Sequence, residues 1–389
     1  MSVALTTRAS QGGPSRTAVL TDPLDELDAL ARSAGYSPVG RIACKRAKAD
    51  AALLVGSGKA DEIAALLENN SAPHVIFDPN LSPIQQRNLE QRWKTRVLDR
   101  TELILEIFAQ RAKSHEGKLQ VELARLDHMS ARLTRGWTHL ERQRGGIGVR
   151  GGPGETQLEL DKRMIGSRIK QIKERLATLE KQRRTRRNSR AKRGTFSVAL
   201  VGYTNAGKST LFNAMTSSQT FAADQLFATL DPLTRRMYVP DLGPVVLSDT
   251  VGFVRDLPHK LVQAFHATLE EVAGADLLLH VVDAAAQDRA EQIDNVNEVL
   301  REIGADLIPQ IMVFNKIDLF KISSETKDDA QLSMPAGIEH RLDGSIARVA
   351  VSARDRLGLD GLRSALKESL SAPISEPEGV YIEPPSHLS

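Results

Sequence analysis

Residues Gly202 to Ser209 read GYTNAGKS and match the phosphate-binding pattern G-x-x-x-x-G-K-[ST] at every fixed position. Each residue type has a physical task there. Glycines let the backbone curl so that its N–H groups face a β-phosphate, and a following helix N-terminus adds partial positive charge. Lys208 would bring a full charge to the β and γ oxygens, and Ser209 would offer a hydroxyl to Mg²⁺. The apolar run FSVALV before the loop and the helix start STLFNAM after it supply the required context. A chance match in a glycine-bearing turn is the alternative, and those flanks argue against it. Gly202, Tyr203, Thr204, Asn205, Ala206, Gly207, Lys208, Ser209 and Thr210 are therefore expected to line a nucleotide.

Further runs follow in order. Asp249-Thr250-Val251-Gly252 comes after the apolar run VVLS. A carboxylate at a strand end can hold Mg²⁺ through water, and the glycine N–H can sense a γ-phosphate. Asn315-Lys316-Ile317-Asp318 comes after IMVF. Asp318 would accept hydrogen bonds from the ring N–H and exocyclic amine of guanine, which adenine does not offer there. Losing such a pair leaves buried polar groups unpaired, which is how a site rejects the wrong base. Ser352-Ala353, after ARVAV, is uninformative alone but stands where such a site ends. In the stretch SSQTFAADQLFATLDPLTRRM a threonine should complete the metal shell. Thr229 is the first choice and Thr234 the second, against an exposed threonine with no metal role. Its neighbours Phe227, Ala228, Leu230 and Asp231 are grouped with it as nucleotide-contacting. The four motifs together point to GTP, with Lys208 and Thr229 as transition-state support, and Ser209 and Thr229 as metal ligands.

Two local features qualify this reading. Gly56-Ser57-Gly58-Lys59 resembles a second phosphate loop, but Leu53 stands where its first glycine should be, so a tight turn into a helix is expected instead. Phe253 follows Gly252, at the place where many GTPases carry a water-orienting glutamine. Phenylalanine can neither donate to nor accept from water, so slow hydrolysis by the free protein and stimulation by a partner are expected.

The elements that must position these residues form an α/β chain. Segments 1–15, small and polar, read as disordered. Over 16–100 the runs TAVL (17–20), ALLV (52–55), HVIF (74–77) and RVLD (96–99) alternate with helical stretches, as in a small, largely parallel α/β domain. Over 101–193, Leu119, Leu126, Met129, Leu133 and Trp137 recur at helical spacing, as do Ile165, Ile169, Ile172, Leu176 and Leu179. Between them RGGIGVRGGPGE (144–155) suits no helix. An antiparallel helical hairpin with a glycine-rich tip is expected. Residues 194–371 then read as a doubly wound, mostly parallel P-loop domain with strands FSVALV, VVLS, LLLHVV, IMVF and ARVAV, and 372–389 as a flexible tail.

Composition sets bounds. With Cys44 alone among 389 residues, neither an internal disulfide nor a cysteine zinc cluster can form. No run reaches the ~18 apolar residues of a membrane span, so a cytoplasmic enzyme is the default. Net charge is +3, yet Lys181 to Arg193 holds eight basic residues and no acidic one, leaving the rest of the chain at −5. A polyanion contact and a solvated linker before the second domain are both open readings of that basic hinge.

With these pieces assembled the chain resembles the HflX family of translation GTPases over nearly its full length. The marks are GYTNAGKSTLFN, LFATLDPLTRR, DTVGFVRDLP and NKID, and upstream LSPIQQRNLEQ, LDRTELILEIFAQRA and GGIGVRGGPGETQLELDKR. The resemblance implies binding to the large (50S) ribosomal subunit, with roles in splitting or rescuing ribosomes or in subunit maturation. It also implies that the tip, through Arg144, Gly145, Gly146, Gly148, Arg150, Gly151 and Gly152, approaches ribosomal RNA. In related GTPases an asparagine at the position of Asn205 goes with a potassium ion beside the phosphates; a structural hydrogen bond is the alternative. A monomer is expected. Competing readings are an RNA-binding assembly factor that uses GTP as a conformational ligand, and a regulatory GTPase at a membrane surface.

Overall fold

The structure is a computed structural model. It describes residues 2–4, 23–44, 49–70, 72–143, 157–191, 194–216, 226–255, 266–322 and 334–371. The tip 144–155, the run TAVL at 17–20 and the tail 372–389 lie outside the described residues.

The first unit is a four-stranded parallel sheet in the order β2-β1-β3-β4, with β1 at Ser2–Ala4, β2 at Arg41–Ala43, β3 at His74–Phe77 and β4 at Arg96–Asp99. Two expectations change here. Residues 2–4, read as disordered, form the strand between β2 and β3. The run ALLV is no strand: the Asp50 carboxylate accepts from the amides of Ala52 and Leu53, and Leu54 turns to φ +64°. A local side-chain acceptor offers the backbone an alternative to a ladder. The chain then enters α2 (Ser57–Asn70) at Gly56 to Lys59, the tight turn into a helix that was expected there.

Helices α1 (Pro23–Ser33), α3 (Pro83–Trp93) and α4 (Arg100–Arg111) complete this unit. Ser82 and Gln85 form a reciprocal capping box with Pro83 in the first turn of α3, and Asp99 caps α4 through the Glu102 amide. One face of the sheet packs on α2 and α3, with Ile63, Phe77, Leu89 and Trp93 buried. The other face packs on α1 and α4, in a core that reaches well beyond this unit.

The hairpin is α5 (His115–Gln143) and α6 (Gln157–Ala191). Its seam is Leu119, Leu123 and Ile172, flanked by Leu126, Ile169, Leu176 and Leu179. Met129, predicted to share that seam, is 51% exposed, and the side chains of Leu133 and Trp137 lie outside the described residues. The basic hinge is not a linker, because α6 continues through Ala191. Arg183, in that segment, pairs with Glu116 in the first turn of α5. Arg132 of α5 donates to Asp99 at 2.6 Å and also reaches Gln86 and Glu102, holding the helix against the first unit.

The second unit is a seven-stranded sheet in the order β10-β11-β9-β8-β5-β7-β6. Strands β5 (Phe196–Val201), β7 (Gly243–Asp249), β8 (Leu277–Asp283), β9 (Gln310–Asn315) and β11 (Ile346–Ala350) are the five predicted runs and pair in parallel. Two edge strands went unread, β6 (Leu233–Val239) and β10 (Gly337–His340), and both pair antiparallel. Helices α7 (Lys208–Thr216), α8 (His266–Ala273), α9 (Arg289–Glu302), α10 (Asp318–Ile322) and α11 (Leu359–Ser371) accompany the sheet. Its two faces carry separate cores, one around Phe212, Leu247, Leu279 and Leu362 and one around Phe253, Leu278, Val296 and Leu300. Among the described residues no helix is long and apolar enough to cross a membrane.

Candidate nucleotide site

The site forms at the carboxyl ends of the parallel strands, where a doubly wound sheet places its ligands. The loop after β5 turns at Gly202 (φ +147°) and Gly207 (φ +90°), and a Cβ at either would collide with the Val281 carbonyl or with Asn315 Nδ2. Asn205 takes φ +61° and is exposed. The loop then enters α7 at Lys208, whose Nζ donates to the carbonyls of Gly202 (3.0 Å) and Tyr203 (2.7 Å). Burial pushes its ammonium down to about 8, with Asp249 opposing the shift.

Ser209, Thr229 and Asp249 converge. Ser209 Oγ donates to Asp249 Oδ2 at 2.7 Å and lies 2.8 Å from Thr229 Oγ1, which donates to the same oxygen at 3.0 Å. Burial raises the Asp249 carboxyl, opposed by the Ser209 hydroxyl and Lys208. Its Oδ1 is buried with no hydrogen-bond partner, as is Thr204 Oγ1. Gly252 packs so closely on Thr204 and Lys208 Nζ that no Cβ fits. The cleft so formed is lined by Thr204, Asn205, Gly207, Lys208, Ser209, Thr210, Phe227, Ala228, Thr229, Thr250 and Gly252.

The other end is held by side chains of the same unit. Asn315 Nδ2 donates to the Ala206 carbonyl at 3.0 Å, and its Oδ1 accepts from the Ala353 amide at 3.0 Å. Asp318 Oδ1 accepts from Ser352 Oγ at 2.7 Å, which in turn accepts from the Asp355 amide. Lys316 (φ +66°) pairs with Asp283 at 2.7 Å, and Ile317 is buried beneath the strand ends.

Several predicted site residues face elsewhere. The Tyr203 hydroxyl donates to Glu26 (3.0 Å) and accepts from the Arg255 amide (2.7 Å). Val251 and Leu230 are buried in the core of α1 and α4. Asp231 does not line the cleft; it accepts from the amides of Lys113 and Ser114 and from the Ser114 hydroxyl. Thr234, the second metal candidate, sits in β6 opposite Ser248, where pairing fixes it away from Asp249 Oδ2. The RNA-contact residues Arg144 to Gly152 lie outside the described residues.

The sequence reading missed the partners from the first unit. Arg100 is buried between Glu26 (2.6 Å) and Asp78 (2.8 Å) and donates to the Arg255 carbonyl at 2.8 Å. The Leu226 amide donates to Ser33 Oγ, and Phe108 meets Phe227 edge-on at 4.7 Å. No motif marks these positions. Their signal in the sequence is limited to polar residues at apolar helix faces.

A phosphate loop, a D-x-x-G strand end and an N-K-x-D strand end at the edge of one parallel sheet define a P-loop GTPase. Three family models match: "GTP-binding GTPase N-terminal" over 21–109, "GTP-binding GTPase Middle Region" over 111–190, and "50S ribosome-binding GTPase" over 197–316. The GTPase HflX of Escherichia coli (strain K12) is 52% identical over 355 residues, 91% of this chain and 80% of that protein. The GTPase HflX of Magnetococcus marinus is 44% identical over 353 residues, 91% and 81% of the two chains. The crystal structure of SsGBP with GDP covers 95% of this chain and 98% of its own at 24% identity and a TM-score of 0.50, a likeness of fold. The chain belongs to the HflX family of GTPases.

Proposed function

We propose that this GTPase is a ribosome-associated switch that binds the large ribosomal subunit and its RNA and hydrolyses GTP faster when bound. It would serve in splitting or rescuing ribosomes or in subunit maturation, as a monomer in the cytoplasm. In this reading an α/β unit extending to residue 100 and a hairpin over 101–193 face the ribosome, the tip at Arg144 to Gly152 meets RNA, and 194–371 holds the catalytic site.

One observation carries the reading: a phosphate and guanine site in which, among the described residues, the position after Gly252 holds a buried phenylalanine where a water-orienting side chain would stand. Phe253 is fully buried, with its amide on the Gly202 carbonyl and its own carbonyl taken by Thr204. Water ordering must then come from elsewhere, and a partner that supplies a stabilising group can raise the rate by about 10³ to 10⁵.

The residues fit a magnesium ion bound with the nucleotide. Two hydroxyls converge on a buried carboxylate whose Oδ1 has no partner, and phosphate oxygens would complete an oxygen-only shell. Ser209 and Thr229 would hold it with Asp249 behind them, and the ion would neutralise charge developing on the β- and γ-phosphates. Lys208 would grip those same oxygens, the amides of 203–209 would line the β-phosphate, and the Gly252 amide would meet the γ-phosphate. Asp318 would read the guanine edge while Ser352 and Asn315 hold the loops in register. Asn205, exposed at the cleft, would face a potassium ion; equal turnover in potassium and sodium buffers would remove that part.

The test is sedimentation with purified 50S, 30S and 70S particles, with GDP or a non-hydrolysable GTP analogue, beside GTP turnover with and without 50S. Binding to 50S in the analogue state and ribosome-raised turnover are expected. Equal turnover with and without ribosomes would end the proposal, and binding confined to precursor large subunits would favour an assembly factor.

A further inference from the structure

The loop that carries Thr229 is tied to the start of the hairpin by one side chain. Asp231 Oδ2 accepts from the amides of Lys113 (2.9 Å) and Ser114 (2.8 Å), and Oδ1 accepts from the Ser114 hydroxyl. Ser114 is itself the cap of α5, because its Oγ accepts from the Gly117 amide at 2.8 Å. A carboxylate at the start of a 29-residue helix also meets the positive end of its dipole. Gly117 gives a second, independent sign of the same contact. A Cβ there would fall inside van der Waals contact of Asp231 Oδ1, which explains a glycine in the first turn of a helix despite its low propensity. Only Leu230, buried in the shared core, separates Asp231 from Thr229.

We propose that Asp231 is a positioning residue: by holding Lys113 and the cap residue Ser114 at the entry to α5 it sets the Thr229 hydroxyl beside Ser209 and Asp249, and so makes the base of the hairpin a structural part of the loop that closes on the γ-phosphate. The inference rests on the reading of Thr229 as a residue of the metal and γ-phosphate site. The reasoning is geometric. Thr229 reaches Asp249 from a segment anchored on both sides, at Leu226–Phe227 by Ser33 and Phe108 and at Asp231 by α5. Loss of the second anchor leaves Thr229 free to leave the site, while the phosphate loop and Asp318 stay intact. Arg183 extends the same path, since it joins α6 to Glu116 in the turn of α5 that Ser114 caps.

The test uses the full chain and four variants: Asp231→Ala, Asp231→Asn, Gly117→Ala and Lys208→Ala. Asp231→Ala is expected to lower kcat about tenfold, the size of one or two lost charge-assisted hydrogen bonds. GDP affinity should stay within about twofold, and a fluorescent non-hydrolysable GTP analogue should dissociate about tenfold faster. Amide exchange at Lys113 and Ser114 should accelerate in the same variant. Asp231→Asn keeps acceptor oxygen and is expected to restore most of both rates. Gly117→Ala keeps the Asp231 side chain in the sequence and raises helix propensity, and should nonetheless reproduce the fast release by displacing the carboxylate. Wild-type release and turnover in either Asp231→Ala or Gly117→Ala would overturn the proposal, as would loss of GDP affinity matching the loss of kcat. If Lys208→Ala bound GTP as tightly as the wild type, the nucleotide-site reading itself would fail, separately from the role of Asp231.

Discussion

The two ends of the nucleotide cleft are built differently. The guanine end is self-contained: Asn315, Asp318, Ser352 and Ala353 bond to one another and to the phosphate loop, and every partner comes from residues 206–355. The γ-phosphate end is a joint construction. Segments 226–231 and 251–255 take hydrogen bonds, ion pairs or core packing from Glu26, Ser33, Arg100, Phe108 and Ser114. Strand-end loops packed in one unit are suited to holding the base whichever phosphates it carries. Loops fastened to another unit let the phosphate count be felt outside the catalytic domain, which is what an order–disorder switch requires.

Substitutions should separate these ends. The largest effect is expected at Arg100, the buried cation of the first unit that is joined to the γ-phosphate end through the Arg255 carbonyl. Arg100→Ala leaves Glu26 and Asp78 with Arg255 as the cation beside them among the described residues, and breaking such a buried network costs about 3 kcal/mol or more. Urea unfolding should show that loss, while GDP affinity, set mainly by the other end, changes little; a large fall in GDP affinity would erase the distinction between the ends. Asp318→Asn attacks the other side. It removes the acceptor of two guanine donors and should weaken GDP binding about 100-fold or more, as measured by calorimetry, with the turnover of bound GTP retained. A comparable fall in turnover would mean that the two ends are coupled after all.

The self-contained end was the legible one. N-K-x-D, D-x-x-G and the phosphate loop each place fixed residue types at strand ends, where local chemistry dictates them, and the five parallel strands are continuous apolar runs as burial on both faces demands. The jointly built end was not legible, because its pairs lie far apart in the chain: Tyr203 with Glu26, Leu226 with Ser33, Asp231 with Ser114. Nothing local specifies such contacts. Asp231 read as a nucleotide residue only because it neighbours Thr229, and its trace elsewhere in the chain is Gly117, in the first turn of the hairpin. The edge strands β6 and β10 escaped for a related reason. LTRRMYV carries two exposed arginines, and β10 is four residues with no buried position, so neither shows an apolar run. Ser2–Ala4 is too short to read at all.

A pH titration sharpens the comparison at the phosphate loop. Burial holds the free Lys208 ammonium at about 8, and phosphate beside it must raise that value. The sign follows: affinity is complete below pH 8 and falls as pH rises, because binding then requires proton uptake, by up to about tenfold per pH unit. GDP affinity measured from pH 7 to 9 should show this slope in the wild type. Lys208→Arg, at whatever affinity it keeps, should be flat, since guanidinium does not titrate there. A slope in that variant would assign the proton to another group.

The smallest effect tests the weakest of the attachments. Ser33 Oγ accepts from the Leu226 amide at 3.0 Å while donating to the Ala29 carbonyl at 2.8 Å, so one hydroxyl joins α1 to the start of the Thr229 loop. Ser33→Ala leaves the Leu226 amide, in a buried segment, without its acceptor, at about 1 kcal/mol, which corresponds to roughly fivefold. Amide exchange at Leu226 should speed by that factor, with Phe227 still packed on Phe108 and GDP affinity unchanged. Unaltered exchange would show that the aromatic pair alone anchors the loop there. In that case the hydrogen bond is an accompaniment to packing, and the coupling between the units runs through apolar contact at Phe227 and through the carboxylate of Asp231.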